Sequence, residues 1–177
     1  MDEQSVTCLE RLRASGVPTL LHMFTNVLAD QAREPVIAVV EDEEWIAHVI
    51  RRVLAKHGLT CVEVVRDPWP LVPRARAGEI DLVVMDMHMP GIDTMHAIRS
   101  LRAGAGNGAH LPILAISGDG SDENRSRAFA AGATEFIGKP FTRAELDDAV
   151  DRLLAERVAS LAVALRQPPT AGEVPAS

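Results

Sequence analysis

Five short apolar runs alternate with amphipathic segments between residues 35 and 154. The runs are rich in Val, Ile and Leu and favour strands that are buried on both faces. In the segments between them, apolar residues recur at helical spacing, and glycines end several of these segments. The pattern predicts strands at 36–40, 59–65, 81–85, 111–116 and 134–137, and helices at 45–57, 70–77, 94–103, 121–131 and from 142 onward.

Strict alternation of strands and helices predicts an α/β fold with a parallel sheet covered by helices on both faces. For five strands we expect the flavodoxin-like, doubly wound (βα)5 arrangement with strand order 2-1-3-4-5. Right-handed crossovers keep such a unit compact.

Two helical extensions are predicted outside this unit. Residues 1–34 form an amphipathic helical hairpin that is broken at residues 15–18, and the apolar stripe of the last helix continues to about Arg166. We therefore divide the chain into an N-terminal extension (1–34), a main domain (35–154) and a helix extension with a disordered tail (155–177). Neither apolar stripe can bury itself, so the extensions pack within the chain or form a homodimer.

The composition excludes several classes of protein. A net charge of −7, a pI near 5.3 and 3% aromatic residues argue against direct DNA binding. The two cysteines cannot form a disulfide framework, residues 1–5 are unlike a signal peptide, and no apolar run is long enough to span a bilayer. We expect a cytoplasmic chain without membrane contact.

Polar residues stand where four of the predicted strands end. Because the carboxyl ends of parallel strands share one edge, where open α/β sheets bind their ligands, these residues should form one pocket. They are Glu41 and Asp42 after the first strand, Asp86 after the third, Ser117 after the fourth and Lys139 after the fifth.

Three clustered carboxylates repel one another unless a cation is present, and an all-oxygen acidic site suits Mg²⁺. With its charge offset, Asp86 could attack phosphorus and form an aspartyl phosphate. The metal, Lys139 and the Ser117 hydroxyl would each contact one phosphoryl oxygen. Taken singly, Asp86 could instead be a turn or helix cap, and Lys139 a surface lysine.

The chain resembles the receiver domain of two-component response regulators over about residues 35–154. The resemblance is carried by residues 39–43 (VVEDE), 81–90 (DLVVMDMHMP) followed by Asp93, 111–118 (LPILAISG) and 136–141 (FIGKPF). It implies that Asp86 accepts a phosphoryl group from a histidine kinase or a histidine phosphotransfer protein.

The resemblance also implies roles for the neighbours of Asp86. Asp42, Asp86 and the Met87 carbonyl would bind Mg²⁺ directly, with Glu41 acting through water. Lys139 would contact the phosphoryl group, and the bond from Lys139 to Pro140 would be cis.

Ser117 would reorient toward the phosphoryl group, and Phe136 would follow as the switch aromatic. The output surface would be the fourth helix, fifth strand and fifth helix, facing an unknown downstream protein. Such a chain is a phospho-acceptor rather than an enzyme, apart from its own phosphorylation and dephosphorylation.

Some residues depart from the family pattern. Glu41 replaces the commoner Asp, and Thr94 replaces a Gly, which predicts a different turn after Asp93. His88 and Asp119 occupy positions that tune the lifetime of the phosphoryl group in this family.

Two alternatives remain open. The first is a pseudo-receiver that only binds or dimerises, which the intact set of site residues disfavours. The second is an aspartate-nucleophile phosphatase, which needs an acid two residues after the nucleophile, where this chain has His88.

Overall fold

The computed structural model describes residues 35–56, 58–103 and 110–166, with side chains up to Arg157. The predicted N-terminal hairpin and the tail beyond Arg166 lie outside these residues. Five strands alternate with five helices in the described part of the chain. The strands are β1 Ile37–Val40, β2 Val62–Val65, β3 Leu82–Asp86, β4 Ile113–Ser117 and β5 Glu135–Gly138. The helices are α1 Glu44–Lys56, α2 Leu71–Ala77, α3 Thr94–Arg102, α4 Asp122–Ala131 and α5 Arg143–Arg166.

The strands form one parallel sheet in the order β2-β1-β3-β4-β5, which confirms the predicted topology. The register pairs Asp86 at the end of β3 with Ile116, and Ser117 at the end of β4 with Gly138. Residues that leave the carboxyl ends of β1, β3, β4 and β5 therefore meet at one edge of the sheet.

Helices cover both faces of the sheet, as expected for strands that are mostly apolar. Alternate residues of a strand point to opposite faces, so each central strand contributes to two cores. Ile37 and Val39 of β1 pack toward α1 and α5, whereas Ala38 and Val40 pack toward α2, α3 and α4. The two cores pack against opposite faces of the sheet, and the polar residues at the carboxyl ends of the strands lie between them at one edge.

The helix starts follow the capping residues of the sequence. Glu145 N donates to Thr142 Oγ1 at 3.2 Å and Thr142 N donates to Glu145 Oε2 at 2.7 Å, so the predicted capping box at the start of α5 is confirmed. The bond from Thr142 N lowers the pKa of Glu145. Ser121 and Asp93 cap α4 and α3 through their side chains. Gly132, with φ +113°, ends α4 in the left-handed region that glycine tolerates best.

All five strands begin one to three residues later than predicted, and two of the boundary differences have a clear structural meaning. β2 begins at Val62 rather than residue 59, because Leu59 N donates to Leu54 O and so belongs to the turn that closes α1. Asp86 and Ser117 are the last residues of their strands rather than the first residues after them. Both site residues are therefore held by the sheet itself.

The last helix runs without a break to Arg166, as the apolar stripe predicted. Its Arg157 lies 3.4 Å from Asp81 Oδ1, and both side chains are almost completely buried. Within the described residues no helix is long and apolar enough to cross a bilayer.

Candidate functional site

Three carboxylates meet at the carboxyl edge of the sheet, as the strand-end pattern predicted. Glu41, Asp42 and Asp86 each place one carboxylate oxygen within 4.8 Å of the others. Glu41 and Asp86 are only 2% and 4% exposed. A compact donor set made only of oxygen fits a hard divalent cation such as Mg²⁺.

Lys139 forms hydrogen bonds with two of these three acids. Its Nζ donates to Asp86 Oδ2 at 2.7 Å and to Glu41 Oε2 at 3.1 Å. Burial raises the pKa of Glu41, although hydrogen bonds from Glu43 N and Lys139 oppose this rise. Burial alone would lower the pKa of Lys139, but its bonds to the two carboxylates raise it. The ammonium group therefore stays charged and offsets part of the negative charge.

The loop after β3 is fixed by hydrogen bonds to both Asp86 and Met87. Asp86 Oδ1 accepts from His88 N at 2.9 Å, so each oxygen of this carboxylate has a donor. The buried Thr94 hydroxyl donates to the Met87 carbonyl at 3.0 Å. Thr94, which replaces the Gly that is usual in the family, therefore adds a hydrogen bond to the Met87 carbonyl. This carbonyl is the one that the family resemblance assigns to the metal. The peptide bond from Lys139 to Pro140 is cis, as expected.

Ser117 lies at this edge but is turned toward different partners. Its Oγ is hydrogen-bonded with His88 Nδ1 at 3.0 Å, Asp119 N at 3.1 Å and Asn124 Nδ2 at 2.9 Å. Among the described residues, none of its side-chain hydrogen bonds reaches Asp86 or Lys139. The sequence placed Ser117 in the same pocket as the acids, and the structure puts it beside them with its hydroxyl engaged elsewhere.

Phe136 of β5 is buried, with the guanidinium of Arg125 from α4 lying 5.0 Å from its ring centroid. At this distance a cation attracts the face of an aromatic ring. A cavity of about 310 Å³ opens beside the pair, between α4, β5 and α5. Phe136 therefore connects the sheet to the helix surface predicted as the output face.

Three residues in contact with the predicted set were not identified from the sequence. Thr94 stands out in the sequence only as a departure from the family pattern, and Asn124 and Arg125 are not singled out. A signal for Asn124 did exist, since it stands three residues after the N-cap Ser121, and helical side chains tilt toward the N-terminus.

A family model for the response regulator receiver domain matches residues 37–151, well over half of the chain. Among curated proteins, chemotaxis protein CheY-3 of Vibrio cholerae is 29% identical over 117 residues, which cover 66% of this chain and 89% of that protein. Hybrid signal transduction histidine kinase G of Dictyostelium discoideum is 31% identical over 131 residues, covering 73% of this chain and 4% of that much longer protein.

Solved structures agree with the family match. The receiver domain of sensor histidine kinase PA1611 from Pseudomonas aeruginosa, which has a magnesium ion in its active-site cleft, is 31% identical, with a TM-score of 0.59 over 69% of this chain and 98% of that one. A response regulator described as putative, from Chloroflexus aurantiacus, is 25% identical, with a TM-score of 0.62 over 70% of this chain and 99% of that one. With its sheet order and its strand-end acids, the chain belongs to the family of response regulator receiver domains.

Proposed function

We propose that the chain is a phospho-accepting response regulator of a two-component or phosphorelay system, in which Asp86 takes a phosphoryl group from a phosphohistidine donor. The proposal rests on the surroundings of the Asp86 carboxylate. It lies within 4.8 Å of two further carboxylates and 2.7 Å from the Lys139 ammonium. Receiver domains act in signalling through histidine kinases and downstream proteins, so the family supports the same function.

The reaction needs little from the protein beyond positioning and charge neutralisation. A carboxylate oxygen of Asp86 attacks the phosphorus, the phosphorus–nitrogen bond of the phosphohistidine breaks, and the imidazole leaves with the electron pair. The product is a mixed anhydride on Asp86. Lys139, already in contact with Asp86, donates to a phosphoryl oxygen, and Ser117 donates to another after its hydroxyl has turned.

Mg²⁺ fits the oxygen donors at this site. We expect Asp42, Asp86 and the Met87 carbonyl to hold it directly and Glu41 to act through water. When bound, the cation would neutralise negative charge on the phosphoryl oxygens, which the three carboxylates cannot do. Two features support this assignment: the carboxylates converge, and Thr94 already orients the Met87 carbonyl.

The output is proposed to pass through the surface formed by α4, β5 and α5. Phe136 is buried beneath this surface, with Arg125 over its ring and a cavity of about 310 Å³ beside it. A change in the position of its ring would alter the shape of that surface. The downstream partner is a protein that distinguishes the two shapes.

The test is phosphorylation by a small acyl phosphate in the presence of Mg²⁺, read by intact mass. We expect one added phosphoryl group on the wild type, and none on Asp86→Asn or when the metal is chelated. Asp93→Asn is a matched control, because it makes the same replacement in the same loop and keeps a capping residue at α3. It should be phosphorylated like the wild type.

Other results would favour the alternatives. A folded wild-type protein that gains no phosphoryl group from any donor would be a pseudo-receiver, an interaction module that phosphorylation does not control. Rapid turnover of many phosphate esters would indicate a phosphatase. If the chain is a phospho-acceptor, its only catalysis is its own phosphorylation and dephosphorylation.

We further propose a homodimer formed through the helical extensions. α5 continues to Arg166, although the family match ends at residue 151. Sedimentation equilibrium should detect a dimer, and a monomer at high concentration would rule it out.

We also propose that the protein is cytoplasmic, because histidine kinases use the ATP of the cytoplasm.

A further inference from the structure

Ser117 Oγ has three polar neighbours, and they come from three different parts of the site. They are His88 Nδ1 in the loop after β3, the backbone N–H of Asp119 in the loop after β4, and Asn124 Nδ2 on α4, at 2.9–3.1 Å. Ser117 is fully buried and Asn124 is 8% exposed. Their hydrogen bond therefore has little competition from water.

The direction of each of these hydrogen bonds can be deduced. The nitrogen of the Asn124 amide also lies 2.9 Å from the carbonyl oxygen of Asp119. A carbonyl only accepts, so the amide group must present its nitrogen here, and Asn124 donates to both oxygens. Asp119 N–H is also a donor. A hydroxyl accepts two hydrogen bonds and donates one, so the proton of Ser117 is left for His88 Nδ1.

Asn124 connects this arrangement to a helix of the proposed output surface. It stands in the first turn of α4, whose N-cap Ser121 accepts from Asn124 N at 3.2 Å. Its side chain reaches back to the last residue of β4 and to the loop that joins β4 with α4. One buried amide group therefore links Ser117 to the start of α4.

We propose that Asn124 is a positioning residue that holds Ser117 in the unphosphorylated arrangement and transmits its movement to the first turn of α4. This inference rests on the proposed phosphorylation of Asp86. A phosphoryl group on Asp86 needs the Ser117 proton, and when the hydroxyl turns toward it, the bond from Asn124 breaks. The first turn of α4 then loses one hydrogen bond to the sheet. Phosphorylation of Asp86 at the end of β3 therefore loosens α4, although this helix does not contact the phosphoryl group.

The first test measures how tightly beryllofluoride, a phosphoryl mimic, binds with Mg²⁺, followed by fluorine NMR. Asn124→Ala should bind it about fivefold more tightly than the wild type, because one hydrogen bond that favours the competing state is gone. Ser126→Ala, an exposed change on the same helix, should bind it like the wild type. Unchanged or weaker binding by Asn124→Ala overturns the inference.

A double-mutant cycle separates positioning through Ser117 from a general effect on α4. In the Ser117→Ala background, Asn124→Ala should leave the affinity for beryllofluoride unchanged, since no hydroxyl remains to be held. The same fivefold gain in that background would show that Asn124 acts independently of Ser117, and would overturn the inference.

A further measurement needs no variant and covers the case in which Asn124→Ala fails to fold. Hydrogen exchange of the amides in the first turn of α4 should become faster when the wild type binds beryllofluoride with Mg²⁺. Binding with unchanged exchange overturns only the role of Asn124. A wild type that does not bind the mimic overturns the proposed function, and the inference falls with it.

Discussion

Lys139 Nζ lies 2.7 Å from Asp86 Oδ2. Lys139 follows β5 and Asp86 ends β3, so this contact spans the strand β4 that lies between them. The same ammonium group lies 3.1 Å from the nearly buried Glu41 carboxylate. Two buried anions thus share one cation, which offsets part of their charge before any metal is bound. Removal of the lysine should reveal how much the folded state depends on this cation.

Lys139→Met should lower the free energy of unfolding by about 3 kcal/mol in metal-free buffer, because it leaves buried carboxylates without their cation. Mg²⁺ should restore most of the loss, since it offsets the same charges and binds only the folded state. Urea unfolding with chelator and with Mg²⁺ measures both effects.

Lys56→Met is the control for this prediction. The ion pair of Lys56 with Asp147, at 3.6 Å, is partly exposed and should contribute less than about 1 kcal/mol. Equal stability of Lys139→Met and the wild type in chelator would contradict the account.

Thr94 offers a second test of the metal site. Thr94→Val removes the donor that fixes the Met87 carbonyl, and we expect Mg²⁺ affinity to fall about fivefold, which corresponds to the loss of one ordinary hydrogen bond. Thr94→Ser keeps the hydroxyl and should bind Mg²⁺ nearly as tightly as the wild type. Calorimetric titration distinguishes the two variants. Equal affinity of Thr94→Val and the wild type would contradict a role for Thr94 in positioning the Met87 carbonyl.

The buried pair of Asp81 and Arg157 tests whether the extended helix is part of the domain's core. Arg157→Met should lower the free energy of unfolding by about 3 kcal/mol, because the buried Asp81 carboxylate loses the guanidinium group beside it. Arg152→Met changes the same residue type on the same helix, but its pair with Glu135 is more exposed and should contribute less than about 1 kcal/mol. Similar losses in the two variants, measured by urea unfolding, would contradict this view of α5.

The sheet was predictable because its signals are local. The three central strands are apolar except for Asp86 and Ser117 at their ends, and the helices between the strands have clear capping residues, so the order of elements followed from the sequence. β2 was predicted too long, because it lies at the edge of the sheet and its half-exposed pattern carries less information. Whether Leu59 ends a helix or starts a strand depends on its hydrogen bond to Leu54.

The site was predictable only in part, for a related reason. Glu41, Asp42, Asp86 and Lys139 stand at strand ends, so parallel pairing alone brings them to one edge. The partners of Ser117 depend on side-chain packing between a loop and a helix, which no periodicity encodes. Asn124 and Thr94 look like ordinary helix residues until the fold buries them against the site.

Reductive trapping can show whether Asp86 carries the phosphoryl group. After phosphorylation with Mg²⁺ and an acyl phosphate, borohydride converts an aspartyl phosphate to homoserine, which peptide mass spectrometry locates in the sequence. We expect homoserine at position 86 alone, and none when Mg²⁺ is chelated. Homoserine at another aspartate, or at none in a protein that has gained a phosphoryl group, would contradict this expectation.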